Sequence, residues 1–179
     1  MAKLKRIIFH WTAGGYLSTE IDKEFYHFLI DNEGTVFNGR YKPEDNIDCT
    51  DGKYAKHTGG GNTGSIGIAF CGMHNFNLTH KRTKYPLTQK QCEAGFKLAA
   101  ELCHKYDFKP NPQTITTHYE FGKQYPDTSS AGKIDIAYLP YVAASHLQPD
   151  GVAIYIRNKV KWYYNRYNRY NNEQKTDKR

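Results

Sequence analysis

A short run of large and β-branched residues, Leu4 to Phe9, ends on a histidine, His10. Such a run forms a strand buried in a sheet, and it constrains the fold more than any other stretch. A second strand-prone run, Gln113 to Thr117, also ends on a histidine, His118. Between them, Tyr26 to Ile30 and Thr35 to Arg40 flank the polar turn Asp31-Asn32-Glu33-Gly34, which is the pattern of a hairpin. Ser65 to Gly72 adds a strand of small residues. Thr88-Gln89-Lys90-Gln91 has the form of a capping box. It opens a helix over Gln89 to Tyr106, with Cys92, Phe96, Ala99, Ala100, Cys103 and Tyr106 on one stripe. Shorter helices are predicted at Ser18 to Phe25, capped by Ser18, and at Ile136 to His146, with Pro140 in its first turn. Strands alternating with helices predict an α/β single domain: a central mixed β-sheet with helices packed on it. His10 and His118, each leaving a strand, then meet at one sheet edge.

After His118 the chain runs through a Gly/Pro/Ser loop and returns with Lys133 and Asp135 two residues apart. Residues two apart on an extended segment share a face, so an ammonium and a carboxylate point the same way. Two neutral imidazoles and a carboxylate are a recurring protein ligand set for a catalytic zinc, which leaves the fourth position for water. His10, His118 and Asp135 are the candidate ligands. On position alone, two buried hydrogen-bonded histidines and a solvated Lys133/Asp135 pair account for the same residues.

The chain has 179 residues, and its 39% hydrophobic content suits a folded domain. Its net charge of +7 is concentrated at one end. From Arg157 onward eight Lys or Arg stand against Glu173 and Asp177, a net of +6, which leaves +1 for the first 156 residues. We therefore divide the chain into a domain at 1–147 and a basic, Tyr-rich extension at 148–179. Val160, Tyr163 or Tyr164, Tyr167 and Tyr170 fall three or four apart in it, as on a helix. Either this stripe packs back on the domain, or the extension is drawn to an anionic wall polymer or membrane surface. No nucleic acid partner is expected, and the protein is expected to be a monomer. Cys49, Cys71, Cys92 and Cys103 share no short spacing and are expected to be reduced and mostly buried. The apolar run before His10 is too short for a signal peptide, and no run approaches the length of a membrane span.

Taken in order, the segments resemble a known family. His10-Trp11-Thr12-Ala13 comes first, then Tyr26-His27-Phe28 with Asp31 to Gly34 and Gly39-Arg40. His57 with Asn62 follows, then Ser65-Ile66-Gly67-Ile68, His118-Tyr119-Glu120 and Lys133-Ile134-Asp135. This series is similar to the zinc N-acetylmuramoyl-L-alanine amidases, the group that contains phage amidase endolysins and, more distantly, peptidoglycan recognition proteins. The resemblance covers residues 5 to 147. It implies one Zn2+ held by His10, His118 and Asp135, catalytic roles for Lys133 and Tyr26, and a substrate groove contacted by His57, Asn62 and Trp11. It also implies bacterial peptidoglycan as partner and hydrolysis of the bond between N-acetylmuramic acid and L-alanine, by an endolysin that reaches the wall after release by another factor. A non-catalytic wall-recognition module on the same fold is the alternative. Two departures stand out: the segment from His118 to Lys133 is longer than is usual in the family, which makes Asp127 a rival third ligand, and the segment between His10 and Tyr26 is short.

Overall fold

The computed structural model describes residues 3–142 and 148–176, with side chains of the final helix given as far as Arg169. Its five strands are β1 (Arg6–Trp11), β2 (Phe28–Ile30), β3 (Val36–Asn38), β4 (Ser65–Phe70) and β5 (Ile115–Thr117). They form one sheet in the order β3-β2-β4-β1-β5. β1 lies parallel to both β4 and β5, and β2 is parallel to β4. Only the β2/β3 hairpin is antiparallel. The helices are α1 (Glu20–Phe25), α2 (Gln89–Lys105), α3 (His118–Gln124) and α4 (Pro149–Thr176).

Strand alternation sorts the two sheet faces. Ile7, Phe9 and Trp11 of β1 and Ile66, Ile68 and Phe70 of β4 join one apolar core with Cys92, Phe96, Ala99 and Cys103 of α2 and Val152, Ile156 and Val160 of α4. Phe9 stacks on Phe70 at 5.7 Å and meets Phe96 edge-on at 5.9 Å. On the opposite face His10 and Gly67 are covered by the irregular chain around a 3-10 turn at Pro43–Ile47 and by His57. This is the face that carries the polar chemistry.

The long predicted helix forms, capped by Thr88, whose side chain accepts from Gln91 N while Gln91 answers to the cap backbone. The predicted strands form with ends trimmed by one or two residues, and β1 runs on through His10 to Trp11. α1 is capped by Thr19, not Ser18. Two expectations are corrected. His118 opens a helix instead of a loop, because Thr117 caps α3 and Glu120 completes a capping box. Ile136 to Val142 forms turns, not helix, since Ile136 has φ of +62°, which a right-handed helix cannot contain. The remainder of that predicted helix, together with the 147/148 boundary, lies at or beyond the edge of the described residues. All four cysteines are free, and Cys71, Cys92 and Cys103 are buried. Among the described residues no helix is long and apolar enough to cross a membrane.

Candidate metal centre

β1 delivers His10 to the polar sheet face at 0% exposure, and burial holds its imidazole down to a pKa of about 4. The ring is therefore neutral at neutral pH, the form that binds a cation. β5 ends beside β1, and the first turn of α3 places His118 so that the two rings lie 4.6 Å apart. Asp135 returns to the same point, its Oδ2 at 3.0 Å from His118 Nδ1 and 3.4 Å from His10 Nδ1. The two Nδ1 atoms are 3.1 Å from each other.

The groups behind the rings decide which nitrogen carries hydrogen. His57 Nε2 lies 3.2 Å from Ser65 O, a carbonyl that can only accept, so Nε2 is the protonated nitrogen and Nδ1 holds the lone pair. That Nδ1 is 3.1 Å from His10 Nε2, which therefore donates to it and leaves His10 Nδ1 bare. On the other side Ser130 Oγ donates to Gly59 O at 2.8 Å and accepts from His118 Nε2 at 3.0 Å. His118 Nδ1 is bare for the same reason. Two imidazole lone pairs and a carboxylate oxygen thus face one another without a hydrogen among them, an arrangement that repels itself unless a cation lies between. Bonds of about 2.0–2.2 Å from a tetrahedral zinc space its donors about 3.3–3.6 Å apart. The observed separations of 3.0, 3.1 and 3.4 Å fall close to that. The residues present fit a small divalent cation with three protein ligands.

The other candidates sit at different distances from this point. Tyr26 packs beside His10 with ring centroids 5.2 Å apart, and burial together with the Asp135 charge pushes its phenol above the usual value. Lys133 is exposed, and its backbone N–H bonds Ser130 O. Asp127 is exposed and outside the cluster, which comprises His10, His118 and Asp135. Asn62 accepts from Thr58 N through Oδ1 at 2.7 Å and so closes the glycine loop. Trp11 is 3% exposed and packs edge-on against Phe76 at 5.3 Å, on the apolar side of the sheet. His57 is buried, with both ring nitrogens engaged by protein atoms. A Cβ on Gly67 would come within 2.6 Å of the His57 ring, so only glycine leaves room for it there.

Three partners had no mark in the sequence. Ser130 and Thr58, whose Oγ1 lies 2.8 Å from His57 Nδ1, are single hydroxyls in polar loops. His27 stands in sequence simply as the neighbour of Tyr26, yet it accepts from Gly67 N at 2.9 Å and donates to Asn46 Oδ1 at 2.9 Å, clamping the covering loop to β4. A separate cleft of about 470 Å³ beside Glu120, Lys123 and Asp150 contains none of the three clustered residues.

The sequence profile of the family described as N-acetylmuramoyl-L-alanine amidase matches residues 1–135. Comparison with curated proteins gives no match. Among solved structures, the N-acetylmuramoyl-L-alanine amidase LysC from Clostridium intestinale URNW is 20% identical with a TM-score of 0.51, covering 78% of this chain and 80% of that one. The Staphylococcus aureus hydrolase AmiA, solved with its ligand, is 17% identical with a TM-score of 0.58, covering 91% and 74%. At these identities the likeness is one of fold.

Proposed function

The chain belongs to the N-acetylmuramoyl-L-alanine amidase family, and from that premise we propose that it hydrolyses the amide between N-acetylmuramic acid and L-alanine in bacterial peptidoglycan, using a zinc ion held by His10, His118 and Asp135. The observation that carries this reading is the trio of bare donor atoms at 3.0–3.4 Å, each imidazole held in the ligand tautomer from behind. Zinc bound there supplies a water of pKa near 7 and a Lewis acid for the carbonyl oxygen. The side chains do the rest. Asp135 is 16% exposed at its side chain while His10 is sealed, so substrate reaches the centre from the Asp135 side. Tyr26, its phenol held protonated by burial, orients the attacking water beside His10. Lys133, two residues from Asp135, offers its ammonium to the oxygen on which charge grows in the tetrahedral intermediate. We further propose that the protein is a phage or prophage endolysin. The non-catalytic recognition module is the second reading; it would not require both imidazoles to be locked with Nδ1 inward.

Zinc content and the release of new L-alanine amino termini from purified walls test this. His10→Ala, His118→Ala and Asp135→Ala are expected to lose both, and Asp127→Ala neither. Lys133→Ala is expected to keep zinc and lose turnover by about 10²–10³-fold, as for other oxyanion donors. Full zinc in Asp135→Ala would remove that ligand from the site; a zinc-loaded wild type that binds walls and releases nothing would leave the recognition module.

A further inference from the structure

We propose that the outer surface of α4, centred on Trp162, binds a phosphate-bearing polysaccharide of the bacterial wall, on the sheet face away from the metal centre. The inference rests on the wall being the substrate. The inner stripe of α4, Val152, Ile156 and Val160, is spent in the core, which fixes the rotation of the helix. Trp162, Arg166 and Arg169 then follow one another at i, i+4 and i+7 along an outer row. Trp162 is 50% exposed and Tyr167 44%, both large rings shown to solvent.

Two hollows meet at Trp162 and Tyr163. One of about 350 Å³ is bounded by Tyr155 and Asn158, and one of about 610 Å³ by Lys97, Glu101, Arg166 and Tyr167. Aromatic walls with amide, carboxylate and ammonium groups at the rim suit a chain of sugars, whose C–H faces pack on rings while their hydroxyls hydrogen-bond. The charge adds phosphate. Arg157 and Lys159 are engaged by Glu120 and Glu93, but Lys97, Lys161, Arg166 and Arg169 form no ion pair among the described residues. The Arg166 guanidinium lies 4.8 Å over the Trp162 ring. Stacking occupies the face of its plate and leaves the N–H donors at the edge for phosphate oxygens. A lipid surface would ask for a continuous apolar stripe on the outside of the helix, and here that stripe faces inward.

The test uses the zinc-loaded full chain. Its binding is measured by co-sedimentation with intact walls and with walls stripped of phosphodiester-linked polymer by hydrofluoric acid, for wild type and for Trp162→Ala/Arg166→Glu. Both substitutions are on exposed side chains, and circular dichroism checks the fold. Stripping is expected to weaken wild-type binding about tenfold and to make it less salt-dependent, and the double variant is expected to lose about the same on intact walls. Release of L-alanine amino termini from stripped walls is expected to be equal in both proteins. Equal binding of wild type to intact and stripped walls, or wild-type binding by the double variant, overturns the proposal. So does tighter binding to phosphatidylglycerol vesicles or single-stranded DNA than to intact walls. If the polymer-dependent binding appears while no amino termini are released, the surface stands and the hydrolase reading falls.

Discussion

His57 stands directly behind His10, and the chemistry of its two nitrogens is fixed from outside. Ser65 O takes the hydrogen of Nε2, so Nδ1 must accept, and His10 Nε2 must give. A ligand whose remote N–H is held by an acceptor binds metal in one orientation and with a more basic donor atom, and losing such a partner typically weakens metal binding 10–100-fold. His57→Leu is therefore expected to weaken zinc binding about 10–100-fold in competition with a chelator. His57→Gln, which retains an acceptor and a donor on one side chain, is expected to recover part of it. A groove residue would behave differently, raising KM with zinc affinity unchanged. The three members of the cluster were legible in the sequence because a strand-end histidine and a carboxylate spaced from a lysine are patterns. Ser130 was not, because a serine that holds His118 from 12 positions further along the chain looks like any loop serine. The long segment between His118 and Lys133 is what brings it there.

The elements were legible in proportion to their length. α2 spans 17 residues and repeats its apolar stripe several times, whereas α3 has seven residues and two turns, too few for a period to show. What marks α3 is its start, Thr117 three residues before Glu120, the same capping box that located α2. The loop that covers the site has no period at all, and one histidine ties it down. His27 donates to Asn46 Oδ1 and accepts from Gly67 N, and Asn46 in turn bonds Ala55 and Asn62. Protonating His27 Nδ1 would set two N–H groups against each other at Gly67. Burial accordingly holds its pKa down to about 4, although Asn46 and the nearby Asp45 and Glu44 favour the charged ring. An unfolded histidine takes its proton near pH 6.5, so between about 6.5 and 4 the unfolded chain binds more protons than the folded one. The stability this group contributes is present above that window and is lost as pH falls through it, on the order of 3 kcal/mol. In the zinc-free protein, urea unfolding is expected to show a smaller free energy at pH 4.5 than at pH 7. His27→Gln is expected to reduce that dependence by its own share, the buried His10 and His57 keeping the rest, and an unchanged slope would mean that the clamp does not contribute to it.

At the scale of the whole molecule, the net charge of the chain and the packing of the chain divide it at different places. The charge is concentrated from Arg157 onward, which is why composition sets 148–179 apart. The packing follows side chains that composition averages away. Val152, Ala153, Ile156 and Val160 are all buried, Arg157 bonds Glu120 of α3 at 2.8 Å, and Tyr163 Oη donates to Glu93 of α2 at 2.7 Å. Further out, Tyr164 stacks on His104 at 4.0 Å. Burying a Val or Ile side chain contributes about 1.5–3 kcal/mol, so Val152, Ile156 and Val160 together supply about 5–9 kcal/mol. A domain of ordinary stability has only about 5–15 kcal/mol in total. Ending the chain before Pro149 should therefore remove most of the cooperative unfolding transition along with any wall contact, because it uncovers the α2 side of the core. Ending it after Tyr167 keeps every one of these contacts and is expected to leave the melting temperature within a few degrees of the full chain. Calorimetry on the two shortened proteins decides the matter: a normal transition in the shorter one would show that α4 is an appendage, and that the first 148 residues close their own core.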